Sequence, residues 1–414
     1  MLVPCAILAA ARFDGECVVI LITGATGFIG GATARALRER GHRVLAATRR
    51  RDNTYAETVE ADFTRDVEPA TWLPRLADVD VLVNTVGVLR EQGRQTFDAL
   101  HVRAPIALFS ACVDAGVSRV IQLSALGADQ HARSAYHVSK RAADDFLASL
   151  PISSAIVQPS LVYGPGGESA RLFNTLASLP LIPLPGDGSQ RVQPIHIDDV
   201  VACIVALVER SVPGRDRVAL VGPQPVTLRE YLAALSRNLG RPHPRFIEVP
   251  HVAIRFAAFV GTALKGALLD PETLAMLQRG NVADASDTVR LLGAVPRPIT
   301  EFIALRDAAA IRQQAQLNWL LPLVRVMLAA MWIVTGIVSL AVYPIAESYA
   351  LLARTGITGG FATVALVGSA ALDIVFGVAT LVAPSKLLWW SQIALIVGYT
   401  LIISVFLPEF WAHP

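Results

Sequence analysis

The stretch Val18 to Gly30, VVILITGATGFIG, constrains the fold of this chain more than any other segment. Its opening apolar run, rich in Val and Ile, predicts a buried strand that passes directly into a helix. Gly24 suits a tight turn, Gly27 lacks the Cβ that would keep a pyrophosphate off the backbone, and Gly30 lets the helix pack close to the strand. The pyrophosphate would then bind free amides at the helix N-terminus. The pattern predicts a dinucleotide site, and a glycine turn that binds no ligand is the alternative.

Alternating helices and strands continue from this turn. The first helix carries Arg38 and Arg40 in its last turn and ends at Gly41. Further strands are predicted at residues 42–48, 58–63, 80–86 and 119–123, with a helix over residues 96–115. Such alternation predicts an α/β fold built on a Rossmann-type, doubly wound parallel sheet.

Arg49, Arg50 and Arg51 follow the second strand, roughly twenty residues beyond the glycine turn. A site selective for NAD would place an acidic residue here, on the ribose 2′-hydroxyl. Guanidinium groups favour a 2′-phosphate instead, because their planar fork stays charged and contacts phosphate oxygens in pairs. We therefore expect NADP(H) as the preferred cofactor. NAD(H) is the alternative, since Asp52 is a nearby acid, and a solvated basic loop is the reading without a ligand.

The fifth strand leads to Ser124, at the edge of the sheet where such folds bind ligands. Tyr136 and Lys140 follow on one face of a helix, so the ammonium approaches the phenol. A phenol is a poor acid or base at neutral pH, and a nearby cation is expected to lower its pKa by stabilising phenolate. Ser124 would hydrogen-bond the substrate oxygen. A Tyr and a Lys at this spacing also occur on surface helices, but their combination with the glycine turn favours hydride-transfer chemistry.

These motifs resemble the short-chain dehydrogenase/reductase superfamily, in its extended and atypical branches, over residues 18–300. The segments Gln158 to Gly166 and Pro194 to Val200 carry the same resemblance. Within those branches the chain is similar to the group that includes the nucleotide-binding accessory subunit of mitochondrial complex I. The resemblance implies that Ser124, Tyr136 and Lys140 are catalytic. It implies cofactor contacts from Gly24, Thr26, Gly27, Phe28, Ile29, Gly30, Arg49, Arg50, Asp62, Lys140 and Pro159.

Two departures from the family pattern concern turnover. His101 stands where many relatives have an Asn that helps order a relay water, and Gln158 replaces a frequent Arg. Both departures leave cofactor binding expected and turnover open. The alternatives to an oxidoreductase are therefore a non-catalytic nucleotide-binding module, which senses redox state or assists a membrane complex, and a nucleotide-sugar epimerase or dehydratase.

Composition separates the chain into unlike parts. Of its 414 residues, 53% are hydrophobic, and the excess belongs to about the last hundred residues. The net charge of +2 and the scattered arginines argue against a nucleic-acid partner. The four cysteines have no metal-ligand spacing, so no metal site is expected. Residues 1–17 lack the features of an export signal and are interpreted as a leader from a mis-assigned start.

Residues 160–300 are rich in Pro and Gly and are predicted to form most of a small substrate lobe. A helix from Leu228 to Leu239 is expected to begin with a capping box of Thr227 and Glu230. The apolar segment 254–269 either packs on the core of this lobe or lies on a membrane surface. Residues 301–318 are interpreted as a largely helical linker.

Three apolar stretches follow within residues 319–414, at about 320–343, 361–383 and 387–407. Each reaches the roughly 20 residues needed to cross a bilayer core. The region resembles the DoxX-like membrane domain, which usually has four spans and is found behind reductase domains of this type. Arg306, Arg312 and Lys386 favour a nucleotide domain on the cytoplasmic side of a bacterial-type inner membrane.

Asp373 lies near the middle of the second stretch, with Thr335 and Tyr399 as candidate partners. A proton or quinone site and a plain interhelical hydrogen bond explain such a carboxylate equally well. The membrane spans predict a lipophilic substrate, such as a lipid, an isoprenoid or a quinone, because these molecules concentrate in the bilayer. The alternative is that the spans anchor the protein to a membrane-complex partner.

Overall fold

The computed structural model describes residues 18–50, 54–209, 214–250, 252–253, 277 and 279–411. The leader at residues 1–17, Arg51 and Asp52 of the basic run, and the apolar segment 254–269 lie outside the described residues. The chain divides into two compact units, which meet in the sequence between Ala315 and Gln316.

A seven-stranded parallel sheet forms the centre of the first unit. The strands of this unit are β1 (Val19–Thr23), β2 (Arg43–Thr48), β3 (Thr58–Glu60), β4 (Val81–Asn84), β5 (Arg119–Leu123), β6 (Ser153–Pro159), β7 (Val162–Tyr163), β8 (Ile182–Pro185), β9 (Arg191–Val192), β10 (Ile195–His196), β11 (Arg215–Leu220), β12 (Val226–Thr227) and β13 (Phe246–Val249). The order across the main sheet is β3-β2-β1-β4-β5-β6-β11, and all its pairings are parallel. The predicted doubly wound sheet is confirmed.

Helices cover both faces of this sheet. Within the described residues, the α-helices of the first unit that have full bounds are α1 (Phe28–Glu39), α2 (Pro69–Trp72), α3 (Ala104–Asp114), α4 (Ala135–Ser149), α5 (Glu168–Ser178), α6 (Ile197–Glu209), α7 (Leu228–Asn238) and α8 (Ser286–Leu292). Ile20 and Ile22 of β1 pack in one core with α1 and α6, whereas Leu21 packs in a second core with α3 and α4. Because both faces of β1 are buried, its sequence is a continuous run of mostly apolar residues.

The glycine turn has the geometry that its sequence predicts. Gly24 has a φ of +75°, which favours glycine, and its carbonyl accepts a 2.8 Å hydrogen bond from the Gly27 amide. A Cβ on Gly30 would lie 2.3 Å from the Gly24 carbonyl oxygen and 2.3 Å from Thr85 Oγ1. Gly30 therefore lets α1 approach the turn more closely than any other residue would.

One predicted helix differs in form. The sequence predicts a single helix over residues 96–115, but the chain first makes a π-helix at Asp98–Arg103 and then continues as α3. Pro105 explains part of this boundary, because proline is tolerated only in the first turn of an α-helix. The wider π-helical turn contains His101, whose side chain is 1% exposed. π-helical turns are frequent at functional sites.

The lobe has its own apolar core, in which Tyr163, Phe173 and Tyr231 are buried. The predicted capping box of Thr227 and Glu230 is present at the start of α7. A Cβ on Gly167 would lie 3.0 Å from ring atoms of Phe28, so the glycines after β7 allow Phe28 of α1 to pack against this turn.

Long helices make up the second unit. The helices are α9 (Leu305–Ile337, which begins in the first unit), α10 (Ile345–Arg354), α11 (Gly360–Val382) and α12 (Lys386–Phe406), with a π-helix at Val338–Val342. Among the described residues, three segments are long and apolar enough to cross a membrane, namely Leu305–Val342, Gly360–Val382 and Lys386–Phe406. The predicted linker is helical from Leu305 onward and is part of α9.

Small residues bring two of these helices together. A Cβ on Gly336 of α9 would lie 2.6 Å from the Ala370 carbonyl oxygen, and one on Gly377 of α11 would lie 2.8 Å from the Ala329 carbonyl oxygen. Close approach at small residues is typical of membrane helices. Of the candidate partners of Asp373, Thr335 instead donates to the Met331 carbonyl oxygen at 2.8 Å.

Replacing Gly30 by alanine should destabilise the first unit by about 1 to 3 kcal/mol, because the new Cβ would overlap backbone atoms. The measurement is the thermal unfolding of the full chain in detergent, in which the unfolding transition of the first unit is monitored. Gly214→Ala is the matched control, since its Cβ would meet Asp216 at an ordinary 3.4 Å. Equal effects of the two substitutions would contradict the packing argument.

Candidate active site

The N-terminal end of α1 fits a pyrophosphate. Its N-cap is Gly27, which supplies no side-chain cap, so the first amides of this fully described helix keep their donor capacity. Thr26 and Gly27 are exposed, whereas Gly30 is buried behind them. An uncapped helix end with an exposed glycine is suited to bind an anion through backbone amides.

A buried polar chain joins the carboxyl ends of three central strands. Thr23 Oγ1 donates to Asn84 Oδ1 at 2.5 Å, and Asn84 Nδ2 donates to Gln122 Oε1 at 2.6 Å. These residues are direct neighbours in the parallel register of β1, β4 and β5. The chain of bonds satisfies polar groups that would otherwise be costly to bury, and it fixes the floor of the site. Sequence reasoning missed it, because its members are far apart along the chain.

The predicted adenosine end contains Arg49, Arg50 and Asp62. Both arginines are exposed after β2. Asp62 Oδ1 accepts hydrogen bonds from the Thr64 amide at 3.0 Å and the Thr64 hydroxyl at 2.8 Å. Burial opposes ionisation of Asp62, but these hydrogen bonds and the charges of Arg65 and Arg49 lower its pKa. Asp62 is therefore ionised at neutral pH, and the positive charge of Arg49 contributes to the lowering of its pKa.

Tyr136 and Lys140 lie in the first turns of α4. The Lys140 ammonium donates to the carbonyl oxygens of Val86 and Leu123, both at 3.1 Å. These carbonyls follow β4 and end β5, so the ammonium ties α4 to the carboxyl edge of the sheet. Burial lowers the pKa of Lys140 to about 8, although the carboxylate of Asp144 opposes this shift.

The expected lowering of the Tyr136 pKa is wrong. Burial, with a smaller contribution from the Asp144 carboxylate, raises the pKa of Tyr136 to about 12. Desolvation disfavours the charged phenolate, and the Lys140 ammonium is directed to the Val86 and Leu123 carbonyl oxygens. The phenol therefore holds its proton at neutral pH, which suits a proton donor rather than a base.

Ser124 is buried, and its hydroxyl donates to Oδ2 of Asp144, two turns beyond Tyr136 on α4. Asp144 is fully buried, and its Oδ1 has no hydrogen-bond partner among the described residues. Burial raises the pKa of Asp144 to about 6, against the opposing effects of Ser124 and Lys140. The structure thus brings Ser124 to the end of β5, as predicted, but directs its hydroxyl toward a carboxylate that sequence reasoning did not single out.

His101 lies beside Tyr136, with their ring centroids 5.6 Å apart in an edge-to-face arrangement. Its Nε2 accepts from the Val88 amide at 3.0 Å, and its Nδ1 contacts Ser139 Oγ at 2.9 Å.

Gln158 donates to the Ala128 carbonyl oxygen at 3.3 Å, and the carbonyl of the buried Pro159 accepts from the Leu126 amide at 3.0 Å. Pro159 thus holds the loop that follows β5.

Comparison with known proteins agrees with this geometry. Residues 20–222 match the NAD dependent epimerase/dehydratase family, and residues 329–414 match the DoxX-like family. The chain is 32% identical over 256 residues to a ceramide reductase of Caulobacter vibrioides, which covers 61% of this chain and 77% of that relative.

Two further similarities extend the comparison. The mitochondrial NADH dehydrogenase (ubiquinone) 1 alpha subcomplex subunit 9 of Arabidopsis thaliana is 26% identical over 246 residues, which are 56% of this chain and 60% of that subunit. The UDP-glucuronic acid 4-epimerase of Bacillus cereus, solved with UDP-glucuronic acid and NAD, has a similar fold. Its TM-score is 0.52 at 19% identity, with 73% of this chain and 100% of the epimerase covered.

The glycine turn, the Tyr136 and Lys140 pair and these matches together place the chain in the NAD dependent epimerase/dehydratase family of the short-chain dehydrogenase/reductase superfamily, followed by a DoxX-like domain.

Proposed function

We propose that this protein is a membrane-anchored, NADP(H)-dependent reductase that acts on the carbonyl group of a lipophilic substrate. The observation that carries the proposal is the half-buried, protonated phenol of Tyr136. It lies one helical turn from the buried ammonium of Lys140, at the edge of the sheet where the uncapped glycine turn also lies. A proton donor of this kind suits the reduction of a carbonyl, whose oxygen gains negative charge as the reaction proceeds.

A bound nicotinamide cofactor supplies the hydride in this chemistry. Tyr136 donates its phenolic proton to the substrate oxygen as that oxygen becomes an alkoxide. The Lys140 ammonium stabilises the phenolate left behind, because an opposite charge close by favours the ionised form. Glycines 24, 27 and 30 and the amides that begin α1 hold the pyrophosphate, together with Thr26, Phe28 and Ile29.

Ser124 has a conditional role in this proposal. While Asp144 is ionised, the Ser124 hydroxyl donates to the carboxylate and its proton is unavailable to a substrate oxygen. When Asp144 is protonated, the carboxyl group donates to Ser124 instead, and the serine proton is free. Tyr136 is therefore the principal donor, and Ser124 adds to it when Asp144 holds a proton.

The substrate class follows from the membrane domain and the relatives. Three helices of the second unit are apolar enough to cross a bilayer, and a lipid reaches a tethered site at high local concentration. The ceramide reductase relative, named for a lipid, supports a long-chain carbonyl substrate. The location in a bacterial-type inner membrane, with the nucleotide domain in the cytoplasm, remains a prediction from Arg306, Arg312 and Lys386.

A non-catalytic nucleotide-binding module is the second candidate. The engagement of Ser124 with Asp144 favours it, because the serine proton is directed away from any substrate. The similarity to a complex I subunit supports assembly with a membrane-complex partner. Turnover distinguishes the two candidates.

Replacing Tyr136 by phenylalanine should reduce the rate of NADPH-dependent reduction by at least about 10²-fold, because the proton donor is lost. The measurement is NADPH oxidation with a long-chain ketone in detergent micelles. Tyr231→Phe is the matched control, since the buried Tyr231 hydroxyl has no hydrogen-bond partner among the described residues. An unchanged rate in Tyr136→Phe would show that another group donates the proton.

The reduction rate should fall as the pH rises through about 8, where Lys140 loses its proton. Tyr136 stays protonated over this range, because its pKa is about 12. Initial rates measured from about pH 6 to about pH 9.5 test this expectation. A rate that stays level up to the highest pH would contradict a requirement for charged Lys140.

NADPH should bind more tightly than NADH by about 1 to 3 kcal/mol, the range expected for hydrogen bonds to a charged phosphate. Replacing Arg49 and Arg50 together by alanine should remove most of this preference. Calorimetric titration of both cofactors into the full chain measures it, with Arg290→Ala as a control on the surface of α8. Equal affinities in the unmutated protein would contradict selection by the arginines.

A further inference from the structure

The loop Val86-Gly87-Val88, which follows β4, is held from both ends. The Lys140 ammonium donates to the Val86 carbonyl oxygen at 3.1 Å, and the Val88 amide donates to Nε2 of His101 at 3.0 Å. A Cβ on Gly87 would lie 2.8 Å from Lys140 Nζ and 3.4 Å from His101 Nε2. Glycine thus lets the backbone pass between the two side chains, so the ammonium and the imidazole share one short loop.

The tautomer of His101 follows from its partners. A backbone amide can only donate, so Nε2 is an acceptor and carries no proton. The neutral ring then has its proton on Nδ1, which donates to Ser139 Oγ at 2.9 Å. Ser139 donates in turn to the Tyr136 carbonyl oxygen at 2.8 Å. The ring therefore links the loop after β4 to the first turn of α4.

The surroundings keep this ring neutral. His101 is 1% exposed, and burial together with the charge of Lys140 lowers its pKa to about 2. A charged imidazole would lose its acceptor and release the Val88 amide. The π-helical turn at Asp98–Arg103 is the local distortion in which the ring occurs, and the ring also stacks on Phe97 with centroids 5.2 Å apart.

We infer that His101 is a positioning residue, whose neutral Nε2 fixes the Val86 to Val88 loop and thereby places the Lys140 ammonium for the cofactor and for Tyr136. The inference rests on the proposed function, since it assigns Lys140 to the cofactor site. It predicts that the positioning depends on Nε2, the ring atom that accepts the hydrogen bond from the Val88 amide. If the ring only filled space against Phe97, neither nitrogen would matter.

Substitution of His101 by glutamine and by asparagine tests the contributions of Nε2 and Nδ1 separately. In His101→Gln the amide group reaches about as far as Nε2, so its oxygen can still accept from the Val88 amide. In His101→Asn the amide lies near the position of Nδ1 and cannot reach Val88. We expect His101→Gln to bind NADPH within about threefold of the unmutated protein, and His101→Asn to bind about tenfold more weakly, the size of one lost hydrogen bond. Calorimetric titration of NADPH into the full chain in detergent measures both.

A second readout needs no cofactor. The chain has three lysines, Lys140, Lys265 and Lys386. Labelling with limiting acetic anhydride, followed by mass spectrometry, therefore measures the acetylation rate of Lys140 relative to that of the exposed Lys386. In His101→Asn, Lys140 should react about fivefold faster relative to Lys386, because its ammonium is no longer held. In His101→Gln, the relative acetylation rate of Lys140 should be nearly that of the unmutated protein.

The matched control is His42, whose Nδ1 accepts from the Val18 amide at 3.5 Å at the opposite edge of the sheet. His42→Gln and His42→Asn should leave both readouts within about twofold. Equal behaviour of His101→Gln and His101→Asn in the labelling experiment would overturn the inference. If the unmutated protein binds neither NADPH nor NADH while the labelling still separates the two variants, the proposed function fails and the positioning role stands.

Discussion

The buried ammonium of Lys140 is the interaction on which the rest of the site depends. It donates to the carbonyl oxygens of Val86 and Leu123, so one side chain joins α4 to the ends of two central strands. A buried charge is tolerated only when it is hydrogen-bonded, and these carbonyls supply the bonds. Tyr136 lies one turn earlier on the same helix, and its position relative to the sheet is therefore set by Lys140. His101 and Gly87 complete this arrangement, because they hold the loop that carries Val86.

Burial rather than the local charge decides the chemistry of this site. The same desolvation raises the pKa of Tyr136 and of Asp144 and lowers that of Lys140 and His101. Each shift moves a group toward its neutral form. The result is a protonated phenol at Tyr136, one helical turn from an ammonium at Lys140 whose charged form burial disfavours. This arrangement suits proton donation to a carbonyl oxygen more than proton removal from an alcohol.

Local patterns in the sequence predicted the fold well. The glycine turn, the parallel sheet, the capping box at Thr227 and the three apolar helices depend on residues that are close in sequence, and all are present. The site was predicted less completely, since its details depend on distant pairs. Ser124 meets Asp144 only after α4 folds back on β5, and Thr23, Asn84 and Gln122 meet only across the sheet. The direction of the Tyr136 pKa was missed because spacing on a helix does not reveal burial.

Transfer of deuterium from the reduced cofactor tests the central claim most directly. NADPH carrying deuterium at the transferable position would be mixed with the full chain in vesicles that contain a long-chain ketone. If the protein is a reductase of lipophilic carbonyls, mass spectrometry will find an alcohol product that carries one deuterium on carbon. A protein that binds NADPH but leaves the lipid free of deuterium, with long-chain and short-chain ketones alike, would contradict the claim and favour the non-catalytic module.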